Sequence, residues 1–343
     1  MEKLISLLSD MRGISGYEYR INEKIKEMIA PYCDDVRIDA LGSVIAFKKG
    51  KKSNTSIMLE AHCDEIGLMI SDIDERGFLS FVNVGGVDQR ILPSAEVIIH
   101  GKKDIKGVIG AKPPHVLSAD EAEKSIKIKD MAIDTGLDAE EVKENVSIGD
   151  SVTFSQSAGK LLNETYSGKT LDDRAGVAAV IEVFKRVKEI DADLYASISV
   201  QEEVGLRGAK ATAFEINPDM AIAIDVCHAQ TPDNSKNAFE AGSGTVITIG
   251  PNIHPKISDK LFEIAKKYEI KTNTDVDSGD TGTDAWAIQI ARCGIPTGLL
   301  SIPLKYMHTS VETMDMKDFE ATVTLLERFV KESDEFGEGW LCF

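Results

Sequence analysis

The chain has 343 residues, of which 43% are hydrophobic and 28% charged, and its formal net charge is -18. That length and composition suit a globular protein of one large domain or two ordinary ones around a buried core. The negative balance argues against nucleic acid, which calls for a basic patch, and against an anionic lipid surface.

The first stretch, "MEKLISLLSDMRG", places Leu4, Ile5, Leu8 and Met11 on one helical face, and its charges interrupt any signal-peptide pattern. A second helix and two apolar strands follow, "SVIAFKK" and "SIMLEAH". From about residue 66 to 160 the runs become short and glycine-punctuated: "GFLSFVNVGG", "AEVIIHG", "KGVIGAK" and "DSVTFSQ". This texture predicts a small barrel or sandwich, interrupted by one short helix at "DAEEVKEN". After about 165, long helices alternate with nearly unbroken apolar strands. "DDRAGVAAVIEVFKRVKEI" carries Val177, Val180, Ile181, Phe184 and Val187 on one stripe, and "LYASISV", "MAIAIDV", "GTVITIG" and "PTGLLSI" read as strands. Helices are expected at "ISDKLFEIAKKYE", "TDAWAIQIAR" and "MKDFEATVTLLERFVKES". The alternation predicts a mixed, largely parallel α/β sheet flanked by helices. The simplest organisation is one α/β domain, residues 1–65 and 162–343, split by an inserted small β-barrel domain at 66–161.

No apolar run is long enough to cross a bilayer. The cysteines, Cys33, Cys63, Cys227, Cys293 and Cys342, are scattered, odd in number and without a CxxC pair. That pattern fits neither a disulfide framework nor a zinc ribbon and points to a reducing cytoplasm.

Ligand sites in open α/β sheets form beyond the strand ends, so the polar residues that close each apolar run are the candidates. "SIMLEAHCDEIG" delivers His62 and Asp64, "SISVQEEVG" Glu202 and Glu203, and "MAIAIDVCH" Asp225. "GKTLDDRAG" puts Asp172 and Asp173 at a helix start, and "IPLKYMHTSVE" puts His308 after a strand. Singly, each has a plain structural reading: Asp172 or Asp173 as a helix cap, His308 as a surface histidine, Asp225 as an arginine partner. Together they are too many carboxylates to bury without compensation. Divalent metal removes that cost, and histidine with carboxylate suits zinc, cobalt or manganese. Two histidines and three or four acids suit two ions sharing one carboxylate, an arrangement that can activate a water against a carbonyl or phosphoryl group. His62 and Asp64 are two apart on extended chain, so Asp64 can bond the imidazole nitrogen that faces away from metal. One acid of the Glu202–Glu203 pair would then be a ligand and the other, free of metal, the general base.

The ordered series "AHCDEIGLMI", "LDDRAGVAA", "VQEEVGLRGA", "AIAIDVCHA" and "YMHTSVE" resembles the tetrahedral aminopeptidases. These are also called deblocking or glutamyl aminopeptidases, and members are sometimes labelled endoglucanase or cellulase. The segment "VGGVDQRILPSAEVIIHGKKDIKGVIGAKPPH" looks like that family's β-barrel, and the similarity covers essentially the whole chain. The resemblance implies a zinc-peptidase-like fold and a metallo-aminopeptidase that binds two divalent ions. It assigns Asp172 as the bridge, His62 and Asp225 to one ion, and Glu203 and His308 to the other. It assigns Glu202 as general base and Asp64 as the residue that orients His62. It implies short peptides with a free N-terminus as substrates, dimers through the β-domain, and closure into a dodecamer.

"SGDTGTDAWA" matches a segment near the family's substrate pocket, which makes Gly282, Thr283 and Asp284 binding candidates; a helix start is the alternative. Cys63 and Cys227 read as core, and His100, His115 and His254 as non-ligands. Two other functions stay open. One is a different hydrolase on the same metals, a deacylase or a glycosidase, although the acids look committed to metal and aromatic content is only 6%. The other is a non-catalytic metal-binding scaffold.

Overall fold

The structure, a computed structural model, describes every residue except 54, 117–123, 235, 237, 334–335, 337–338 and 342–343. Cys342 therefore lies outside the described residues.

The large sheet has the strand order Asp35–Ile38, Val44–Lys48, Asp193–Ser199, Ser56–His62, Met220–His228, Thr297–Lys305, Glu312–Asp315, Thr165–Gly168, Gly159–Lys160. Thr245–Ile249 branches from Thr297–Lys305 and carries Thr272–Val276 on its outer side. The four central strands, from Asp193–Ser199 to Thr297–Lys305, run parallel to one another, and the strands outside them on this path are antiparallel. Apolar runs read as central strands because both faces of a parallel sheet are covered.

Alternation along each central strand divides the core between the faces. Ile57, Leu59 and Ala61 join Ile222, Ile224, Leu300 and Ile302 in the larger core, beneath the helices Glu2–Asp10, Leu171–Arg186 and Met316–Lys331. Met58, Ala221, Ala223 and Leu299 point the other way, against the helices Arg207–Ile216 and Asp284–Gln289. His62 has the parity of Met58, and Asp225 that of Ala221 and Ala223, so both belong to this second face.

Between these parts of the sheet the chain forms a closed antiparallel barrel. Its order is Gly67–Ile73, Leu79–Val84, Ala132–Asp134, Asp104–Gly110, Glu96–His100, Ser151–Phe154. Alternation fills it: along Asp104–Gly110 every second residue is buried, and Ile105 and Ile109 meet Leu68, Phe81, Ile99 and Val152 inside. The expected short helix is Ala139–Asn145, capped by Asp138, which accepts the Glu140 and Glu141 N–H groups. Gly159–Lys160, just after the barrel, already pairs with the large sheet through Thr165–Gly168. Among the described residues no helix is long and apolar enough to cross a membrane.

Candidate functional site

The candidate residues converge at the carboxyl ends of the four parallel strands, where open α/β sheets form their crevices. His62 ends Ser56–His62, Asp225 stands near the end of Met220–His228, and Glu202–Glu203 and His308 follow Asp193–Ser199 and Thr297–Lys305. Asp172 comes from the broken first turn of Leu171–Arg186. There Asp172 and Asp173 are non-helical and are joined by a cis peptide bond. The two acids of that pair part company. Asp173 Oδ1 accepts the Gly176 N–H at 2.9 Å and caps the helix proper, while Asp172 turns to the histidines. His62 Nε2 lies 3.2 Å from Asp172 Oδ1, and His308 Nε2 lies 3.2 Å from both Asp172 Oδ2 and Glu203 Oε1.

Two donor groups result, each with its ligand atoms within 4.8 Å of one another: His62, Asp172 and Asp225, and Asp172, Glu203 and His308. Asp172 belongs to both, and Glu202 to neither. The donors line a cavity of about 460 Å³, with Glu202, Cys227, His228, Gly282 and Thr283 also in its wall. Among the described residues no lysine or arginine lines it to balance the carboxylates. Imidazole and carboxylate donors with that surplus of negative charge suit divalent zinc, cobalt or manganese. Two clefts of about 670 and 850 Å³ lie elsewhere and hold neither donor group, so donor chemistry rather than size marks the site.

Asp64 holds the site together from behind. It is fully buried, and its Oδ1 stands 3.5 Å from His62 Nδ1. It also accepts the Ser15 hydroxyl at 2.6 Å and the backbone N–H groups of Glu202 and Glu203 at 3.0 and 3.2 Å. One carboxylate thus positions both the histidine and the turn that carries the glutamate pair. Burial alone would raise its pKa, but the adjacent His62 and the hydrogen bonds from Ser15 and Glu202 outweigh burial and hold it below the ordinary value. Gln201, in left-handed backbone at φ 58°, starts the turn and donates its N–H to the buried Glu18 at 3.0 Å.

The sequence reading missed Glu312. Its two oxygens accept the backbone N–H of Asp172 and of His308, both at 3.0 Å, so it spans the two donor groups from beneath. Its place four residues after His308 in "YMHTSVE" was the available signal. Glu60 was missed too, although a lone acid in the apolar run "SIMLEAH" marks it. It is buried beside Asp284, and burial pushes the Glu60 carboxyl well above its ordinary pKa.

Gly282 and Thr283 line the cavity, but Asp284 does not: it is 2% exposed and accepts the Ser199 hydroxyl at 2.8 Å. A helix does begin at Asp284. Cys63 is core, as read. Cys227 is not: it is half-buried and faces the cavity with His228. The reason is parity, since Cys227 lies two residues beyond Asp225 and Cys63 only one beyond His62. His100 is buried between Asp104 and Thr153, away from the donors.

A family model described as M42 glutamyl aminopeptidase matches residues 42–325. The chain belongs to the M42 family. It is 38% identical to the lysyl aminopeptidase of Pyrococcus furiosus over 96% of each chain. Among solved structures, the TET aminopeptidase of Thaumarchaeota archaeon SCGC AB-539-E09 superposes with a TM-score of 0.93, at 31% identity over 99% of this chain and 97% of that one. The TET1 peptidase of Pyrococcus horikoshii, described as assembling into a tetrahedron or a large octahedral shell, gives 0.85 at 36% identity over 96% and 99%. As an M42 member the chain is a metallo-aminopeptidase, and its candidate metal donors are the two groups that share Asp172.

Proposed function

We propose that this M42 enzyme removes the N-terminal residue from short peptides with a dinuclear metal site and Glu202 as general base. The carrying observation is that one carboxylate, Asp172, is common to two donor groups while the adjacent cavity carboxylate, Glu202, is in neither. His62 and Asp225 would hold one ion with Asp172, and Glu203 and His308 the other. Two ions of zinc, cobalt or manganese would supply the positive charge that polarises the scissile carbonyl and acidifies a water. Glu202 takes the proton of the attacking water and delivers it to the leaving amine. Asp64 keeps Glu202 and Glu203 at a fixed offset from His62 through their backbone N–H groups. Glu312 does the same for Asp172 and His308.

The relatives' assemblies support self-association. We take residues 66–161 as the dimerisation domain, 1–65 with 162–343 as the catalytic domain, and a dodecamer as the closed form. The described cysteines are free, which agrees with a cytoplasmic setting.

The test is a hydrolysis panel. Protein stripped of metal and reloaded with cobalt or zinc should cleave free aminoacyl anilides and spare the N-acetylated ones. No cleavage of any anilide, with metal demonstrably bound, would remove the proposal.

Metal loading should depend on pH. Without metal, the bonds to Asp172 and then Glu203 push His308 up to about 11, and burial pushes Asp225 up to about 8. Ligands must shed these protons to bind metal, so affinity rises with pH and falls as pH drops. Zinc titration calorimetry in two buffers of different ionisation enthalpy should show at least one proton released per chain. Apparent affinity should fall about tenfold per pH unit for each proton released, from pH 8 to 6. A pH-independent affinity over that range would contradict the ligand set.

A further inference from the structure

We propose that the cavity selects a basic N-terminal residue, lysine or arginine, and that Asp275 is the residue that recognises its charge. This rests on the aminopeptidase reading and adds the substrate class. Asp275 lies on Thr272–Val276, the polar strand paired outside Thr245–Ile249, and it lines the same cavity as the metal donors. Along that strand Asn273 has the same parity as Asp275, and its side chain bonds Ser243 Oγ at 2.8 Å. Asp275 itself has no such bond. Among the described residues its carboxylate has no ion-pair or hydrogen-bond partner, and no lysine or arginine lines the cavity. A half-buried carboxylate in a binding cavity with no partner of its own is a receptor for an incoming cation.

Its position is in the cavity wall, outside the donor cluster. Asp225, in the donor cluster, and Cys227 are one pleat repeat apart on the same strand, roughly 7 Å. Cys227 and Asp275 both line the wall of that cavity. An N-terminal residue whose carbonyl lies at the donors would run its side-chain stem along this wall, where Asp275 is a carboxylate outside the donor cluster. Phe239 and Met307, also in the wall, offer apolar surface to that stem, leaving the charged end for Asp275. A glutamate at the same place would bring a second negative charge against Asp275 with no cation to meet it.

The test compares lysyl anilide with norleucyl anilide, its neutral counterpart of nearly equal length, and adds arginyl, leucyl and glutamyl anilides. The metal-loaded enzyme should favour lysyl over norleucyl in kcat/KM by about ten- to a hundredfold, the range of a hydrogen bond to a charged group. Arginyl should follow lysyl, and glutamyl should be slowest. In Asp275→Asn the lysyl-to-norleucyl ratio should fall toward one. Because both rates come from one sample, the ratio does not depend on how much of the variant folds. If that variant cannot be made, raising ionic strength on the native enzyme should shrink the ratio by screening. A native ratio near one, or an unchanged ratio in Asp275→Asn, overturns the assignment while leaving the aminopeptidase reading intact. Failure to cleave any of the five anilides, with metal bound, overturns both.

Discussion

Replacing Glu202 by glutamine should lower kcat by about 10²–10⁴-fold, the usual contribution of a positioned general base. Metal content and thermal stability should stay close to those of the native enzyme. The separation follows from the geometry. Glu202 reaches the cavity but joins neither donor group, so its loss removes no candidate ligand. Its backbone N–H is held by Asp64, a bond the substitution leaves untouched. In the metal-free chain burial pushes its carboxyl up to about 9, with neighbouring acids adding to the effect. Cations alongside draw such a group back down toward the pH at which a base works. The measurement is single-substrate kinetics on a free aminoacyl anilide together with metal analysis. Activity within a few-fold of the native enzyme would give the proton transfer to another residue. Loss of metal along with activity would make Glu202 a ligand.

The largest stability effect should come from Glu65→Gln, at a cost of about 3–5 kcal/mol, because it leaves buried cations without their counter-charge. Glu65, Lys169 and Arg174 are all buried, at 3%, 4% and 0% exposure. Glu65 pairs with Lys169, accepts the Gly13 N–H at 2.9 Å, and lies 3.9 Å from Arg174. Lys169 donates to the Met11 carbonyl at 3.0 Å, and Arg174 donates to the carbonyls of Leu8 and Cys63 at 2.7 and 2.5 Å. The cluster fastens the end of the first helix to the chain between His62 and Asp64 and to the segment around Asp172. Burial works against the Glu65 charge, but Lys169 and Arg174 more than offset it and keep its pKa low. Urea unfolding of the metal-loaded protein measures the change. A loss under about 1 kcal/mol would mean that water or backbone carbonyls satisfy the two cations unaided.

What the sequence makes legible follows from the physics of burial. The central strands stand out because a strand covered on both faces must be apolar along its length, as "SIMLEAH" and "MAIAIDV" are. The polar residues that end those runs then mark the crevice, and the fold gathers His62, Asp172, Glu203, Asp225 and His308 there. The barrel is legible from its short glycine-spaced runs. Single residues within a pair are not. Only hydrogen bonds distinguish Asp172 from Asp173, one turned to the histidines and the other capping its helix. The strand Thr272–Val276, "TNTDV", escapes because it is a polar outer strand with no apolar alternation. With it goes Asp275, whose relevance appears only when the cavity is closed. Glu312 escapes because it acts on backbone N–H groups, which leave no side-chain pattern to read.

The loop between the barrel strands Leu79–Val84 and Glu96–His100 reaches the site through the carbonyl of Gly86, 3.2 Å from His308 Nδ1. A methyl group at residue 86 would sit 2.8 Å from that nitrogen, so the approach admits glycine alone. A carbonyl can only accept, so the proton of a neutral His308 is confined to Nδ1, and the lone pair is left on Nε2, toward Asp172 and Glu203. The barrel is therefore wired into the chemistry as well as hung beside it. A chimera that exchanges the barrel for another of equal size, but without that glycine carbonyl, inherits a histidine free to present the wrong nitrogen.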